Sequence, residues 1–94
     1  MDKIGRKRDR LEIIYDILRI ISQNHNSIRP TPLLRYSNLS SKSFNEYYEE
    51  LIRKDLIREV LDKKGRKYLT LTDKGFRLIE KYKLVHGFIE EFNL

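Results

Sequence analysis

Residues 36–48 read YSNLSSKSFNEYY. A helical pattern on the left of this stretch stops at Ser37 and Asn38, and a second begins at Ser40 or Ser41. Leu39 stands alone between them as an apolar plug. Asn tolerates the left-handed backbone on which a helix often ends, and serine caps a helix start with its hydroxyl. Two helices therefore meet at an abrupt corner, within about three residues.

Working leftward, Pro30 and Pro32 flank Thr31, which predicts a short helix over 32–37 with Thr31 as its cap and Pro32 in the first turn. "NHNS" (24–27) breaks the chain before it. Asp9 is a plausible cap for a first helix over 9–23, whose Leu11, Ile14, Tyr15, Leu18 and Ile21 recur at helical spacing and define one buried face. Residues 1–8, MDKIGRKR, show no periodicity and read as a basic arm.

Working rightward, Phe44, Tyr47, Tyr48, Leu51 and Ile52 point inward from a helix over 41–54, leaving Lys42, Asn45, Glu46, Glu49 and Arg53 outside. "IREVL", "DKKGR" and "KYLTLT" then read as strand, turn and strand, with Gly65 supplying the positive φ of a tight hairpin. Thr72 caps a last helix that runs to about Phe92, with Asp73 in its first turn. Phe76 and Ile79 are expected to pack on the domain. Leu78, Tyr82, Val85, Ile89 and Phe92 follow a 4-3-4-3 spacing, the signature of a coiled-coil seam. Gly87 interrupts that helix and implies a compact pair, or one whose helices cross closely at the glycine.

The totals agree with a single small basic domain. Ninety-four residues suffice for one modest core, and 36% charged side chains exceed the roughly 25% of an average domain. Net charge is +6, so a polyanion is the first partner to consider. The absence of cysteine rules out disulfides and thiolate metal sites. No apolar run is long enough to span a membrane and no signal-peptide core precedes the fold; a cytoplasmic protein is expected. His25 and His86 lack any ligand or nucleophile pattern and there is no glycine-rich phosphate loop, so neither enzyme activity, nor a cofactor, nor a small-molecule ligand is expected.

Helix, helix, tight turn, helix and β-ribbon is the element order of a winged helix-turn-helix: mainly α with a small β-hairpin, an α+β chain with a long C-terminal dimerisation helix. The expected division is an arm over 1–8, a DNA-binding domain over 9–73 and a dimerisation helix over 74–94. In this arrangement the helix after the turn enters a major groove with its N-terminal end. Ser40, Ser41, Lys42, Ser43 and Asn45 then face the duplex, the hydroxyls and Lys42 toward phosphates and Asn45 toward an adenine edge. Lys63, Lys64, Arg66 and Lys67 at the hairpin tip, with Lys3, Arg6, Lys7, Arg8 and Arg10 from the arm, supply further cations. Glu46, Glu49 and Glu50 limit how deeply that helix can sit among phosphates. The alternative use of such a fold is a protein–protein module of transcription or other machinery.

"LEIIYDIL", "TPLLRYSNLSSKSFNEYYEELIRKDLI" and "KYLTLTDKG" together resemble the small archaeal winged-helix proteins that bind DNA as dimers joined by an antiparallel coiled coil, over roughly residues 9–80. The resemblance implies weakly selective binding of double-stranded DNA and a chromatin-associated or regulatory, nucleoid-bound role. It places DNA contacts on Ser41, Lys42, Ser43, Asn45, Lys64 and Arg66, and self-association on Leu78, Tyr82, Val85, Ile89 and Phe92.

Overall fold

The computed structural model describes residues 8–94. Its elements follow the predicted order: α1 (Arg10–Gln23), α2 (Pro30–Ser37), α3 (Ser41–Arg53), β1 (Ile57–Leu61), β2 (Lys67–Leu71) and α4 (Asp73–Glu91). Three helix starts are fixed by local side-chain caps. The Asp9 carboxylate accepts from the Glu12 amide at 2.8 Å, the Ser40 hydroxyl from Ser43 at 3.2 Å, and the Thr72 hydroxyl from Gly75 at 3.0 Å. Each such cap stabilises its helix by about 1 kcal/mol.

The start of α2 differs from the sequence reading. This helix opens at Pro30, and Arg29 stands at its cap without a side-chain hydrogen bond. Thr31 lies inside the first turn. The reason is that proline's fixed φ and missing N–H suit the first helical position, so Pro30 competes successfully with the Thr31 cap. Asn38 ends the helix in the left-handed region at φ 59°, as predicted.

The core gathers Ile14, Ile17, Leu18 and Ile21 of α1, Leu33, Phe44, Leu51, Ile57, Leu69, Leu71 and Ile79. Leu39, Tyr47 and Tyr48 pack half-buried against it. Two residues of α1 exchange roles: Ile17 is buried, whereas Leu11 is 53% exposed. Helix α1 packs against α2, α4 and β2 at once, so its buried arc is broader than one stripe, while its first turn overhangs the core. Ile52 and Phe76, both expected inside, are partly exposed, and Glu50, expected outside, is buried.

The strands pair antiparallel with Ile57 opposite Leu71 and Leu61 opposite Lys67. A third chain segment joins them. Ile28 forms an antiparallel bridge to Leu69, the Leu69 amide donating to the Ile28 carbonyl at 2.7 Å and the Ile28 amide returning a bond at 3.2 Å. The Asn26 side-chain oxygen accepts from the Leu71 amide at 2.7 Å. The two-stranded wing is thus tied at its base to a third chain segment.

Helix α4 is bolted at its root. The Thr72 hydroxyl donates to the Asp55 carbonyl at 2.6 Å, and Lys74 Nζ donates to the Lys54 carbonyl at 2.9 Å. Gly75 lies so close to the Leu56 carbonyl that a Cβ there would collide with it. Further along, Tyr82 stacks on Tyr15 with ring centroids 4.0 Å apart. Beyond Tyr82 every residue of the helix is exposed.

Candidate nucleic-acid interface

The corner is held by short-range bonds. Ser37 is buried; its hydroxyl donates to the Leu34 carbonyl at 2.7 Å and accepts from the Leu39 amide at 3.3 Å. With Asn38 left-handed, the chain reverses direction and restarts at Ser40. On α3, Phe44, Tyr47 and Leu51 face inward while Ser41, Lys42, Asn45, Glu46, Glu49 and Arg53 are exposed. At about 100° per residue these six occupy one arc. Ser40 is exposed but its hydroxyl is engaged as the cap, and Ser43 is half-buried.

One of the three acidic residues of α3 is removed from that arc. Glu50 takes a bidentate ion pair from both terminal nitrogens of Arg10 and a second bond from Lys54 Nζ at 2.8 Å. A buried carboxylate needs this compensation, since its desolvation costs several kcal/mol. Arg10 is therefore a structural tie between the start of α1 and the end of α3. Arg8 is likewise engaged inside the fold: its guanidinium contacts Asp16 at 2.7 Å and donates to the Ser37 carbonyl at 2.7 Å. The reading of Arg8 as part of a free arm gives way to one in which it staples α1 to the corner. Lys3, Arg6 and Lys7 lie outside the described residues.

At the wing tip Asp62 organises the turn. Its Oδ1 accepts from the Lys64 and Arg66 amides, each at 2.9 Å, and its Oδ2 accepts from Arg66 Nε at 2.7 Å, while Gly65 sits at φ 78°. The Arg66 amide, more than the guanidinium, holds the Asp62 carboxyl below the usual carboxylate range, and the same pair raises the Arg66 pKa. Lys67 Nζ lies 3.4 Å from Glu59, whose carboxylate also accepts from the Tyr48 hydroxyl of α3. That hydroxyl, followed by Lys67, lowers the Glu59 pKa, and burial followed by Glu59 raises that of Tyr48. Of the four predicted wing cations, Lys63 and Lys64 have no ion pair among the described residues, while Arg66 and Lys67 do.

Sequence reasoning passed over several exposed cations. Arg35 and Arg53 have no ion pair among the described residues, and Arg29 lies over the Tyr68 ring with its guanidinium carbon 6.0 Å from the centroid. Nothing local to Arg29 marks it, because its position depends on the Ile28 bridge to a strand forty residues away; the alternation of Tyr68 with Leu69 is the one available cue.

The predicted seam divides in two. Leu78 packs half-buried on the core and Tyr82 on Tyr15, whereas Val85, Ile89 and Phe92 are exposed. Leu84 and Phe88, not foreseen in the seam, are exposed beside them, and Phe88 contacts Phe92 with ring centroids 5.0 Å apart. A groove of about 690 Å³ runs along α4, walled by Leu11, Leu56, Leu78, Val85 and Ile89 and edged by Lys74, Arg77 and Lys81. Burial, then the carboxylates Glu12, Asp9 and Asp16, raises the Tyr82 pKa. Among the described residues no three His, Asp or Glu side chains converge as a metal set.

The chain matches the winged helix-turn-helix family over residues 7–90. Among solved structures it is similar to MepR of Staphylococcus aureus, a transcription regulator of the multidrug efflux pump MepA, with a TM-score of 0.75 and 18% identity over 85% of this chain and 60% of MepR. The PcaV transcriptional regulator from Streptomyces coelicolor matches with a TM-score of 0.72 and 21% identity over 85% of this chain and 60% of PcaV. Sso10a-2, a DNA-binding protein from Sulfolobus solfataricus, matches with a TM-score of 0.72 and 20% identity over 92% of this chain and 86% of its own. The chain spans about 60% of the length of MepR and PcaV. No curated protein matches it by sequence. At these identities the likeness is one of fold.

Proposed function

The chain belongs to the winged helix-turn-helix family, and from that premise we propose that it binds double-stranded DNA as a homodimer of low to moderate sequence selectivity, in a regulatory or chromatin-associated role. The observation that carries the reading is the exposed start of α3, where Ser41, Lys42 and Asn45 share one arc directly after the corner. Lys42 supplies charge, the Ser41 hydroxyl suits a phosphate oxygen, and Asn45 has the donor and acceptor pair that reads adenine. Glu46 and Glu49 on the same arc restrict the contact to the first turn and a half. One strong base reader per helix gives modest discrimination.

On the wing, Lys63 and Lys64 are the phosphate ligands, while Arg66 and Lys67 shape the hairpin through Asp62 and Glu59. Lys42, Lys63 and Lys64 on each of two protomers give a slope of log K against log salt near −5, at about 0.9 per phosphate. Self-association is assigned to the uncovered end of α4. Lys74, Arg77 and Lys81 edge the groove at one end, and Glu90 and Glu91 lie at the other end of the helix. An antiparallel partner helix brings these opposite charges together. Gly87 sits about 200° round the helix from Val85, so the close crossing expected at the glycine is replaced by packing through Val85 and Ile89.

Titration of a random duplex of about 20 base pairs from low to high salt tests the reading. Steep, salt-dependent binding is expected; absence of binding at about 50 mM salt assigns the fold to a protein partner instead. A ratio of selected to random affinity above about 1,000 identifies a regulator.

A further inference from the structure

The outward face of the wing sheet carries its own set of side chains. Strand pairing fixes which side chains share it. Ile28 and Leu69 are paired and both buried, so their neighbours Arg29 and Tyr68 project to the opposite side. Tyr68 is opposite Val60 across the hairpin, and Thr70 is opposite Arg58. Arg29, Tyr68 and Val60 thus form a row across three chain segments, with Thr70 and Arg58 in the row beside it.

The chemistry of this face is specific. Arg29 is exposed, makes no ion pair among the described residues, and is steadied by the Tyr68 ring beneath it. With its guanidinium carbon 6.0 Å from the Tyr68 centroid, Arg29 is within reach of a cation–π contact that favours this position while leaving its N–H donors available to a further partner. Among the described residues Arg58 is paired only with Asp55, at 3.5 Å, both strongly exposed; such surface pairs are worth about 1 kcal/mol or less and open readily. A Thr hydroxyl lies between the two arginines. Planar cations interleaved with an aromatic ring and a hydroxyl are the groups that grip a sugar–phosphate backbone.

We propose that the outward face of the wing sheet is a second backbone-binding surface for duplex DNA, with Arg29, positioned by Tyr68, as its main phosphate contact. The inference rests on the DNA-binding reading and extends it beyond the helix start and the wing tip. Arg29 forks onto one phosphate, Thr70 donates to a neighbouring oxygen, and Arg58 exchanges Asp55 for phosphate when the duplex arrives. Tyr68 acts through Arg29 and is a positioning residue.

Fluorescence anisotropy on a random duplex across a salt series tests this with Arg29→Ala, Arg29→Lys and Tyr68→Leu. In a dimer Arg29→Ala removes two phosphate contacts, so the salt slope is expected to fall by about 2, with roughly tenfold weaker binding at low salt and thermal stability close to wild type. Arg29→Lys is expected to restore the slope but not the full affinity, since lysine cannot stack or fork. Tyr68→Leu is expected to weaken binding several-fold at nearly unchanged slope. If wild type binds with a steep slope and Arg29→Ala matches it in both slope and affinity, this surface is not used, while the helix reading stands. If Arg29→Ala weakens binding to single-stranded RNA and leaves duplex binding untouched, the assignment to duplex DNA is overturned. Wild type that ignores duplexes at low salt removes both readings together.

Discussion

The two halves of α4 have similar apolar content and opposite fates. In the first half Gly75 and Ile79 are buried, Leu78 packs on the core and Tyr82 stacks on Tyr15. In the second half Leu84, Val85, Phe88, Ile89 and Phe92 are all at least 42% exposed. Burying a Val, Leu, Ile or Phe side chain is worth about 1.5–3 kcal/mol, so five uncovered ones over about two and a half turns are a large unused driving force. The contrast teaches that one helix is used in two ways: its root completes the core, and its tip leaves a continuous apolar surface uncovered.

Four substitutions or titrations probe that contrast. The largest effect is expected at the tip. Val85→Glu places a charge in the apolar groove and should weaken self-association at least ~100-fold by sedimentation equilibrium, with the domain still folded; a dimer that survives it is not joined through this face. Next comes the root. Gly75→Ala drives a methyl group into the Leu56 carbonyl and should cost roughly 2 kcal/mol in chemical denaturation. The wing comes third. Glu59 and Asp62 are held below the ordinary carboxylate range by the Tyr48 hydroxyl and the Arg66 amide. A depressed pKa contributes stability above the unfolded value near 4, and that contribution disappears as pH falls through the folded value. Wing amides such as Lys64 and Arg66 should therefore shift in NMR spectra below about pH 4, and Tyr48→Phe should move the Glu59 midpoint upward. The smallest effect is Gly87→Ala. Nothing lies within 4 Å of a Cβ there, so the helix should gain up to about 1 kcal/mol. The same change thus reverses sign between root and tip.

What was legible in the sequence was what neighbouring residues decide. Asp9, Ser40 and Thr72 cap helices through bonds that span three residues, Asn38 turns on its own φ, and Gly65 does the same in the hairpin. These interactions have a fixed sequence spacing, so a pattern reveals them. Apart from the start of α2, where adjacent Pro30 displaces the Thr31 cap, the errors lie where the partner is distant. Glu50 reads as solvated until Arg10, forty residues away, is seen to meet it. Arg8 reads as arm until the Ser37 carbonyl receives it. Ile28 looks like loop because its strand partner is Leu69, and the Ile17 for Leu11 exchange reflects packing against three elements at once. The candidate site was half legible for the same reason. Type and position of Lys42, Asn45, Lys63 and Lys64 follow from local pattern, whereas the engagement of Arg66 and Lys67, and the placement of Arg29, follow from the folded geometry.

The joint between Lys54 and Gly75 sets a distance. Because the end of α3 and the start of α4 share the Thr72, Lys74 and Leu56 contacts, the angle between the two helices is not free to drift. Two copies clasped at their α4 tips would therefore hold their α3 starts at a fixed separation, and the pair would behave as a calliper. Binding sites whose halves are spaced by other than that interval would engage one jaw only, and lengthening α4 by a few residues would reset the gauge.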